Sequence, residues 1–257
     1  MEPHGQDARI GLIALSTDLA IEQDFHRLAA ASEGDVAVFT TRIPLVTPNT
    51  IASFEALAAG LGGIGELLVP ESKLDVIVFG CTAASMIIGP ERLAARLQEG
   101  RREISVTNPA SASLAAFKEL RIKRIVLATP YTEEVNKRAI EWFERHHIEV
   151  VGASGFGSDN DDDHARISAQ DWIDAVARLD PRSADGIFLS CTATRALEVI
   201  ERLENQFNRP VVTSNQAAFW HACLLAGHPA NATGFGELLT ESTLEPKRGR
   251  GHAERRK

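Results

Sequence analysis

Short apolar runs alternate with segments of helical periodicity along almost the whole chain of 257 residues. The run Val76–Phe79 (Val-Ile-Val-Phe) has no polar alternation, which is typical of a strand in a parallel sheet covered on both faces. The pattern predicts eight strands, at 9–15, 36–43, 74–79, 104–106, 124–128, 149–151, 186–189 and 210–212. It predicts helices near 20–31, 48–68, 83–99, 110–120, 132–146, 168–178, 193–206 and 215–225. Alternating strands and helices indicate an α/β fold.

The sequence also contains an internal repeat. Residues 74–85 (LDVIVFGCTAAS) and 184–195 (ADGIFLSCTATR) share an acidic residue, an apolar run and a Cys-Thr pair. Further segments match in the same order, 8–18 with 123–133 and 106–108 with 212–215. The repeat predicts two pseudo-symmetric lobes, residues 1–117 and 118–244, each a mostly parallel sheet flanked by helices. We expect the active site in the cleft between the lobes, and the last helix can pack back on the first lobe.

Charge and composition narrow the possible partners. The net charge of −8 argues against a nucleic-acid partner. The sequence has no apolar run of membrane-spanning length, and its first eight residues are too polar for a signal peptide, so we expect a cytoplasmic protein without a membrane partner. Residues 245–257 hold six Lys or Arg and two Gly without apolar periodicity, which predicts a disordered basic tail.

The three cysteines carry the candidate chemistry. An odd, sparse set without a Cys-x-x-Cys motif predicts neither a disulfide framework nor a metal site. Cys81 and Cys191 follow predicted strands at the sheet edge where open α/β folds bind ligands. Each is predicted to precede a helix N-terminus, whose amides stabilise a thiolate and hold a carboxylate. Two such thiols can act on both faces of a small carbon acid, whereas Cys223, in an apolar helical run, is predicted to lie in the core.

Four further residues are predicted to lie at the same edge. Thr82 and Thr192 offer hydroxyl donors beside the thiols. Asp18 follows the first strand, where it could orient a substrate amine, act on a nearby thiol or simply cap the next helix. Tyr131, the one tyrosine, could donate to a carboxylate or enolate oxygen or could serve as a packing residue. The sequence leaves these alternatives open.

The acidic segment 158–164 (SDNDDDH) is predicted to be a polar loop. It lacks the glycine and the distal glutamate of a calcium loop, so a solvated turn is the favoured interpretation. Asn160 within it is a fifth residue predicted at the same sheet edge, where on sequence alone it is most simply a turn residue.

The Cys-Thr turns on two similar lobes resemble those of the aspartate/glutamate racemase superfamily. Within it, three segments resemble the branch of maleate cis–trans isomerase, arylmalonate decarboxylase and the ectoine-utilisation racemase-like protein, namely 11–18 (GLIALSTD), 128–136 (ATPYTEEVN) and 210–216 (PVVTSNQ). Together with 79–85 (FGCTAAS), they are most similar to the ectoine-utilisation member. The resemblance covers about residues 8–240.

This resemblance implies roles for individual residues. Cys81 and Cys191 match the two catalytic cysteines, and Tyr131 and Asn160 match a tyrosine and an asparagine that bind the substrate carboxylate in maleate isomerases. Asp18 stands where those isomerases have an asparagine, and its charge would repel a dianion and suit an amine. Arylmalonate decarboxylase resembles this chain but has only the second cysteine, which makes decarboxylation a weaker expectation.

Three functional hypotheses follow. The first is a cofactor-independent isomerase of the racemase type, in which one cysteine removes a proton from Cα of an amino acid or N-acyl amino acid and the other returns it. For this hypothesis the resemblance suggests an intermediate of ectoine breakdown. The second is a maleate-type cis–trans isomerase that works through a cysteine adduct. The third is a non-catalytic ligand-binding protein. We expect a small carboxylate as ligand, no cofactor, and a possible homo-oligomer.

Overall fold

Two parallel four-stranded sheets form the centre of the molecule, in a computed structural model that describes residues 3–240. The first sheet holds β1 (Ala8–Leu15), β2 (Val36–Ile43), β3 (Val76–Gly80) and β4 (Ser105–Thr107). The second holds β5 (Arg124–Tyr131), β6 (Glu149–Ser158), β7 (Gly186–Leu189) and β8 (Val211–Thr213). The strand orders are β2-β1-β3-β4 and β6-β5-β7-β8. The predicted α/β class, the eight strands and the pseudo-symmetry of the two sheets are confirmed.

Matching register underlies this symmetry. Ile10 of β1 lies opposite Val38 of β2 and Val76 of β3. In the second sheet, Ile125 of β5 lies opposite Val150 of β6 and Gly186 of β7. The inner strands are buried along almost their whole length, which accounts for their continuous apolar runs. The carboxyl ends of corresponding strands therefore carry equivalent turns in the two sheets.

Helices cover both sheets. The first half contains α1 (Ile21–Ala31), α2 (Ile51–Leu57), α3 (Thr82–Ile88), α4 (Pro90–Leu97) and α5 (Pro109–Glu119). The second half contains α6 (Glu133–Arg145), α7 (Asp161–Arg166), α8 (Ala169–Leu179), α9 (Ile200–Phe207), α10 (Ser214–Ala226) and α11 (Glu237–Thr240). Within residues 3–240, none of them has the length and apolar character needed to cross a membrane.

Three predicted helices are interrupted in the structure. The predicted helix at 48–68 is α2 followed by two short 3₁₀ turns, and Gly63, in the left-handed region with φ of 76°, separates these two turns. The predicted helix at 83–99 breaks between α3 and α4 at Gly89, which has φ of 94° and precedes a proline. The predicted helix at 193–206 begins as a 3₁₀ turn at Ala196 and becomes α-helical at Ile200.

A late helix of each half packs on the sheet of the other half. α5 follows β4, and its Phe117 lies edge-to-face against Phe188 of β7, with 5.4 Å between the ring centroids. α10 follows β8 and contacts β1 and β3, and its Phe219 lies 5.6 Å from Phe25 of α1. One hydrophobic cluster therefore includes residues of both sheets. The repeat boundary at residue 117 does not separate two independent cores.

Candidate active site

The two Cys-Thr turns meet at one cavity between the sheets. Cys81 directly follows β3, and Cys191 follows β7 after one intervening serine. The cavity has a volume of about 10 Å³ and is lined by Leu15, Asn49, Phe54, Cys81, Thr82, Ala83, Tyr131, Asp161, His164, Cys191 and Thr192. Five of the predicted site residues are thus brought together, namely Cys81, Thr82, Tyr131, Cys191 and Thr192.

Cys81 lies at the N-cap of α3, as predicted. Its Sγ accepts a hydrogen bond from the amide of Ala84 at 3.4 Å, and the residue is 5% exposed. Burial raises the pKa of the Cys81 thiol well above that of a free cysteine, and the Ala84 amide offsets part of the rise. The negative charges of Asp161 and Asp18 raise this pKa further. Cys81 is therefore a protonated thiol at neutral pH.

Cys191 lies in a different backbone setting. The residues that follow it are bends, and the first helical turn begins only at Ala196, so the predicted helix N-terminus directly after Cys191 is wrong. Its φ of 127° lies in the left-handed region, a strained conformation for a residue with a Cβ atom. The amide of Cys191 donates to the Ser214 hydroxyl at 3.0 Å, which holds this conformation. Burial first, and then the charges of Asp161 and Asp18, raise the pKa of this thiol well above its usual value.

The threonine hydroxyls connect the two lobes. Thr82 of the first half donates to Ser214 of the second at 2.8 Å, so one serine oxygen accepts from both Cys-Thr turns. Thr192 of the second half donates to the Gly80 carbonyl of the first at 3.3 Å. Both hydroxyl protons are thus used within the protein. The threonines fix the relative position of the two thiols. To donate to the substrate, as predicted, their hydroxyls must first give up these bonds within the protein.

Asp18 is a buried carboxylate with one oxygen unused. Its Oδ1 accepts from the amides of Ala20 and Ile21, at 2.8 and 2.9 Å, so it caps α1. Its Oδ2 has no hydrogen-bond donor among the described residues. Burial raises the pKa of Asp18 to about 6, against the lowering effect of the two amides. Asp18 raises the pKa of both thiols, and it therefore combines the capping role with an electrostatic role at the site.

The raised pKa of Asp18 leads to a test of stability. A carboxyl group with a higher pKa in the folded than in the unfolded state loses stability as the pH rises from about 4 to about 6. We expect Asp18→Asn, which keeps an oxygen for the two amides, to increase the free energy of unfolding at about pH 8 by up to about 3 kcal/mol. At about pH 4 the variant and the wild type should unfold alike, because both carry a neutral side chain there.

Urea denaturation at the two pH values measures this difference. Asp174→Asn is the matched control, because Asp174 is an exposed residue of α8. A difference between Asp18→Asn and wild type that is the same at both pH values would contradict the prediction.

Tyr131 is the last residue of β5 and is 4% exposed. Its hydroxyl lies 3.2 Å from the Ser190 hydroxyl, directly before Cys191 in the sequence. Burial raises the pKa of the phenol well above its usual value, and the charge of Cys191 raises this pKa further. The phenol is therefore a permanent hydrogen-bond donor that faces the cavity, as the donor interpretation requires.

The structure does not bring Asn160 into the cavity. Its Oδ1 accepts from the amide of Asp163 at 2.9 Å, and its Nδ2 donates to the carboxylate of the same residue at 2.8 Å. Asn160 is therefore the N-cap of α7, and its amide is already used. The predicted polar loop at 158–164 is also only partly a loop, because α7 begins at Asp161.

α7 instead supplies two residues that the sequence analysis did not select. Asp161 and His164 lie one helical turn apart, line the cavity, and are 5% and 1% exposed. Asp161 accepts from Thr17 and from Asn49 Nδ2, the latter at 2.8 Å, and lies 3.3 Å from His164 Nδ1. Burial by itself would raise the pKa of Asp161, but the hydrogen bonds from His164, Thr17 and Asn49 lower it on balance. The i, i+3 spacing of Asp161 and His164 was the available signal.

Asn49 was also missed, because it lies in a segment without regular structure. Its amide donates to the Asp159 carbonyl at 2.7 Å, and its side chain donates to Asp161. These bonds join the segment after β2 to the segment after β6 beside the cavity. The Oδ1 of Asn49 has no donor among the described residues. Of the two unused acceptors, Asn49 Oδ1 belongs to a residue that lines the cavity, whereas Asp18 lies buried behind the lining. Within residues 3–240, no group of three or more His, Cys, Asp or Glu residues is arranged to hold a metal ion.

Comparison with known proteins identifies the family. The sequence profile described as arylmalonate decarboxylase matches residues 72–239, more than half of the chain, including both Cys-Thr turns. The chain belongs to the arylmalonate decarboxylase family. Arylmalonate decarboxylase of Bordetella bronchiseptica is 32% identical over 139 residues, which span 53% of this chain and 58% of the decarboxylase. Maleate isomerase of Nocardia farcinica is 22% identical over 91% of this chain and 96% of the isomerase.

Solved structures of the arylmalonate decarboxylase family share the fold. A liganded arylmalonate decarboxylase with two substitutions, one of glycine by cysteine and one of cysteine by serine, has a TM-score of 0.80 and 25% identity, and covers 91% of this chain and 100% of that chain. A cysteine-to-serine mutant of the Nocardia farcinica maleate cis–trans isomerase, with a covalently bound succinylcysteine intermediate, has a TM-score of 0.80 and 21% identity, with 90% and 98% covered. The prediction of an enzyme of the isomerase class is confirmed by these relatives, and the predicted branch is confirmed at the level of the family.

Proposed function

We propose that the chain is a two-cysteine isomerase that works without a cofactor and exchanges the proton at Cα of a small carboxylate. The observation that carries this proposal is the placement of Cys81 and Cys191, from equivalent turns of the two halves, on one enclosed cavity. The cavity volume of about 10 Å³ has room for about one water molecule, so the proposed substrate is small and enters only when the segments around the cavity move apart.

The proposed reaction needs one thiolate and one thiol. The thiolate removes the α-proton, and the electron pair of the C–H bond passes into the carboxylate to form an enediolate. The opposite thiol then donates its proton to the other face of the carbon, and a new C–H bond forms. Tyr131 donates a hydrogen bond to the developing oxyanion, a contribution of about 2–4 kcal/mol for one such donor. The buried setting strengthens that contribution, because electrostatic interactions are stronger in a medium of low dielectric constant.

The charges around the cavity favour an amine-bearing substrate. Asp161 lines the cavity, Asp18 acts on both thiols, and the lining includes neither Lys nor Arg. A dicarboxylate would therefore meet like charge, whereas an N–H group of the substrate could donate to the unused Oδ1 of Asn49, which lines the cavity. The substrate in this proposal is a small amino acid or an N-acyl amino acid. An intermediate of ectoine breakdown is proposed within this class from the resemblance of the four sequence segments alone.

Deuterium exchange tests the proposed reaction. Single enantiomers of small amino acids and of their N-acetyl derivatives are incubated with the protein in heavy water and followed by proton NMR and by polarimetry. We expect one of them to lose its α-proton signal as its optical rotation decays, without formation of an alkene. If all these compounds keep the α-proton while maleate is converted to fumarate, the proposal is wrong and the adduct mechanism takes its place.

The second candidate is cis–trans isomerisation through a cysteine adduct. It is favoured by the match to the Nocardia farcinica maleate isomerase along 96% of that protein, and by the succinylcysteine bound in the mutant of that isomerase. Here one thiolate adds to the double bond, the resulting single bond rotates, and elimination of the thiolate gives the other geometric isomer. The ultraviolet absorbance of maleate follows this reaction directly. A covalent adduct of substrate mass on Cys81 or Cys191, seen by mass spectrometry, would support it.

A further inference from the structure

The buried Asp161–His164 pair contacts one of the two thiols. His164 Nδ1 lies 3.8 Å from Cys191 Sγ and 3.3 Å from Asp161 Oδ1. Cys81 Sγ has the amide of Ala84 as its hydrogen-bond partner, at 3.4 Å. An amide N–H donates to sulfur and cannot take a proton from it. The pseudo-symmetric site is therefore chemically asymmetric, because only the second thiol has a base within contact distance in the described structure.

The hydrogen bonds of His164 define where its proton lies. Nε2 is 3.2 Å from the Ser158 carbonyl oxygen, which can only accept, so Nε2 carries a hydrogen. In the neutral ring, Nδ1 then has a lone pair within 3.8 Å of Cys191 Sγ and donates no hydrogen bond. The hydrogen bond from His164 to Asp161 therefore belongs to the ring that has taken up the proton at Nδ1. When Nδ1 gains a proton, the ring becomes a cation beside the Asp161 carboxylate, whose hydrogen bonds with Thr17 and Asn49 hold it in place. The geometry thus provides an acceptor for the thiol proton and a counter-charge for the cation.

The other groups that face this pair are few. Cys191 interacts electrostatically with Asp161, Asp18 and Cys81, and all three oppose a negative charge on its sulfur. The Tyr131 ring lies edge-to-face with the His164 ring at 6.3 Å between centroids, and its phenol is protonated. Within the described residues, the imidazolium of His164 is therefore the positive charge that can stabilise a Cys191 thiolate.

We propose that His164, oriented by Asp161, accepts the proton of Cys191, so that Cys191 is the resident base and Cys81 the resident acid. The S–H bond of Cys191 breaks, its electron pair stays on sulfur, and a N–H bond forms at Nδ1. No further reactant is required. This assignment rests on the proposed function only for the step that each thiol performs, because the Cys191 thiolate forms without substrate. In the adduct mechanism the same proton transfer makes Cys191 and His164 the acid–base groups of the site.

Alkylation rates of the individual thiols test the assignment. The full-length protein is treated with iodoacetamide across a pH series, and the carbamidomethylation of each cysteine is read by peptide mass spectrometry. Because both active-site thiols line the same cavity, the ratio of their rates depends little on the entry of the reagent. We expect Cys191 to react at least about 10-fold faster than Cys81 at about pH 7, because the thiolate is the reactive form.

His164→Gln removes the base and can keep a donor toward the Ser158 carbonyl. We expect the Cys191 rate at about pH 7 to fall about 10-fold or more, and its pH profile to move to alkaline pH, while the Cys81 rate stays unchanged. Asp161→Asn should reduce the Cys191 rate in the same direction but less, because the lone pair of His164 remains. His146→Gln is the matched control, since His146 lies at the end of α6 outside the cavity and bonds to the Trp142 carbonyl.

Two results would overturn the assignment. One is that Cys81 of the wild-type protein is alkylated as fast as Cys191, or faster, at neutral pH. This result does not depend on the folding of a variant. The other is an unchanged Cys191 profile in a folded His164→Gln protein. Failure of the proposed function is separate, because it would leave the alkylation pattern intact and show instead that none of the tested carboxylates is isomerised.

Discussion

Replacement of either Cys81 or Cys191 by serine is expected to lower turnover by about 10³-fold or more, since general acid–base groups contribute about 10²–10⁴. Serine keeps the size of the side chain, and at position 81 it keeps an acceptor for the Ala84 amide. Its hydroxyl is a far weaker acid than a thiol, so it can neither form the anion nor return the proton at a comparable rate. Isomerisation of the substrate found by deuterium exchange gives the turnover number of each variant.

The third cysteine provides the control for this experiment. Cys223 of α10 is fully buried in the core and lies outside the cavity. Cys223→Ala should turn over like the wild type, with a small loss of stability from the missing sulfur contacts. If the variants at Cys81 and Cys191 bound the substrate and turned it over like the wild type, the two-cysteine mechanism would be wrong. If the variants bound the ligand as the wild type does, and the wild type itself did not turn it over, the ligand-binding hypothesis would be supported.

Removal of the Tyr131 hydroxyl is expected to have the second largest effect. Tyr131→Phe keeps the ring that packs beside His164 and loses the donor that faces the cavity. By analogy with single donors of oxyanion holes, kcat should fall about 10²- to 10³-fold. The buried phenol stays protonated, so this loss should be the same across the pH range in which the enzyme is stable. Initial rates at saturating substrate, measured at several pH values, provide the test.

Ser190→Ala serves as the comparison for Tyr131→Phe. It removes the hydroxyl that lies 3.2 Å from the phenol but leaves the phenol itself in place. Its kcat should therefore fall much less than that of Tyr131→Phe. Equal losses in the two variants would mean that the pair acts through packing, and kcat unaffected by Tyr131→Phe would exclude the tyrosine as the oxyanion donor.

The strands were predictable because a buried parallel strand must be apolar on both faces. The strand whose predicted length differs most from the structure is β6, predicted as 149–151 and observed as Glu149–Ser158. β6 is an edge strand, and its outer part is exposed and made of glycine, serine and alanine with one phenylalanine. Such a segment lacks the apolar run that marks an inner strand, so hydrophobic pattern alone could not reveal it.

The predictable part of the site is the part attached directly to strand ends. Cys81, Cys191 and Tyr131 follow or end buried strands, where parallel sheets place their ligand-binding residues. Asp161 and His164 could not be found in this way, because they lie on a six-residue helix inside an acidic segment that has the composition of a solvated turn. A helix of this length shows too few positions for a period to be recognised. Its buried face is defined by contacts with Asn49 and Thr17, which are far away in sequence.

The exchange of α5 and α10 between the halves has a consequence for biosynthesis. Phe219 and its neighbours in α10 belong to the same hydrophobic cluster as Ile10, Leu12 and Val76 of the first sheet. The part of that face which α10 covers stays exposed until residue 226 has been made, although all four strands of the sheet are complete by residue 107. The N-terminal half is thus not a self-sufficient folding unit on the nascent chain, and part of its apolar surface stays exposed until α10 has been made.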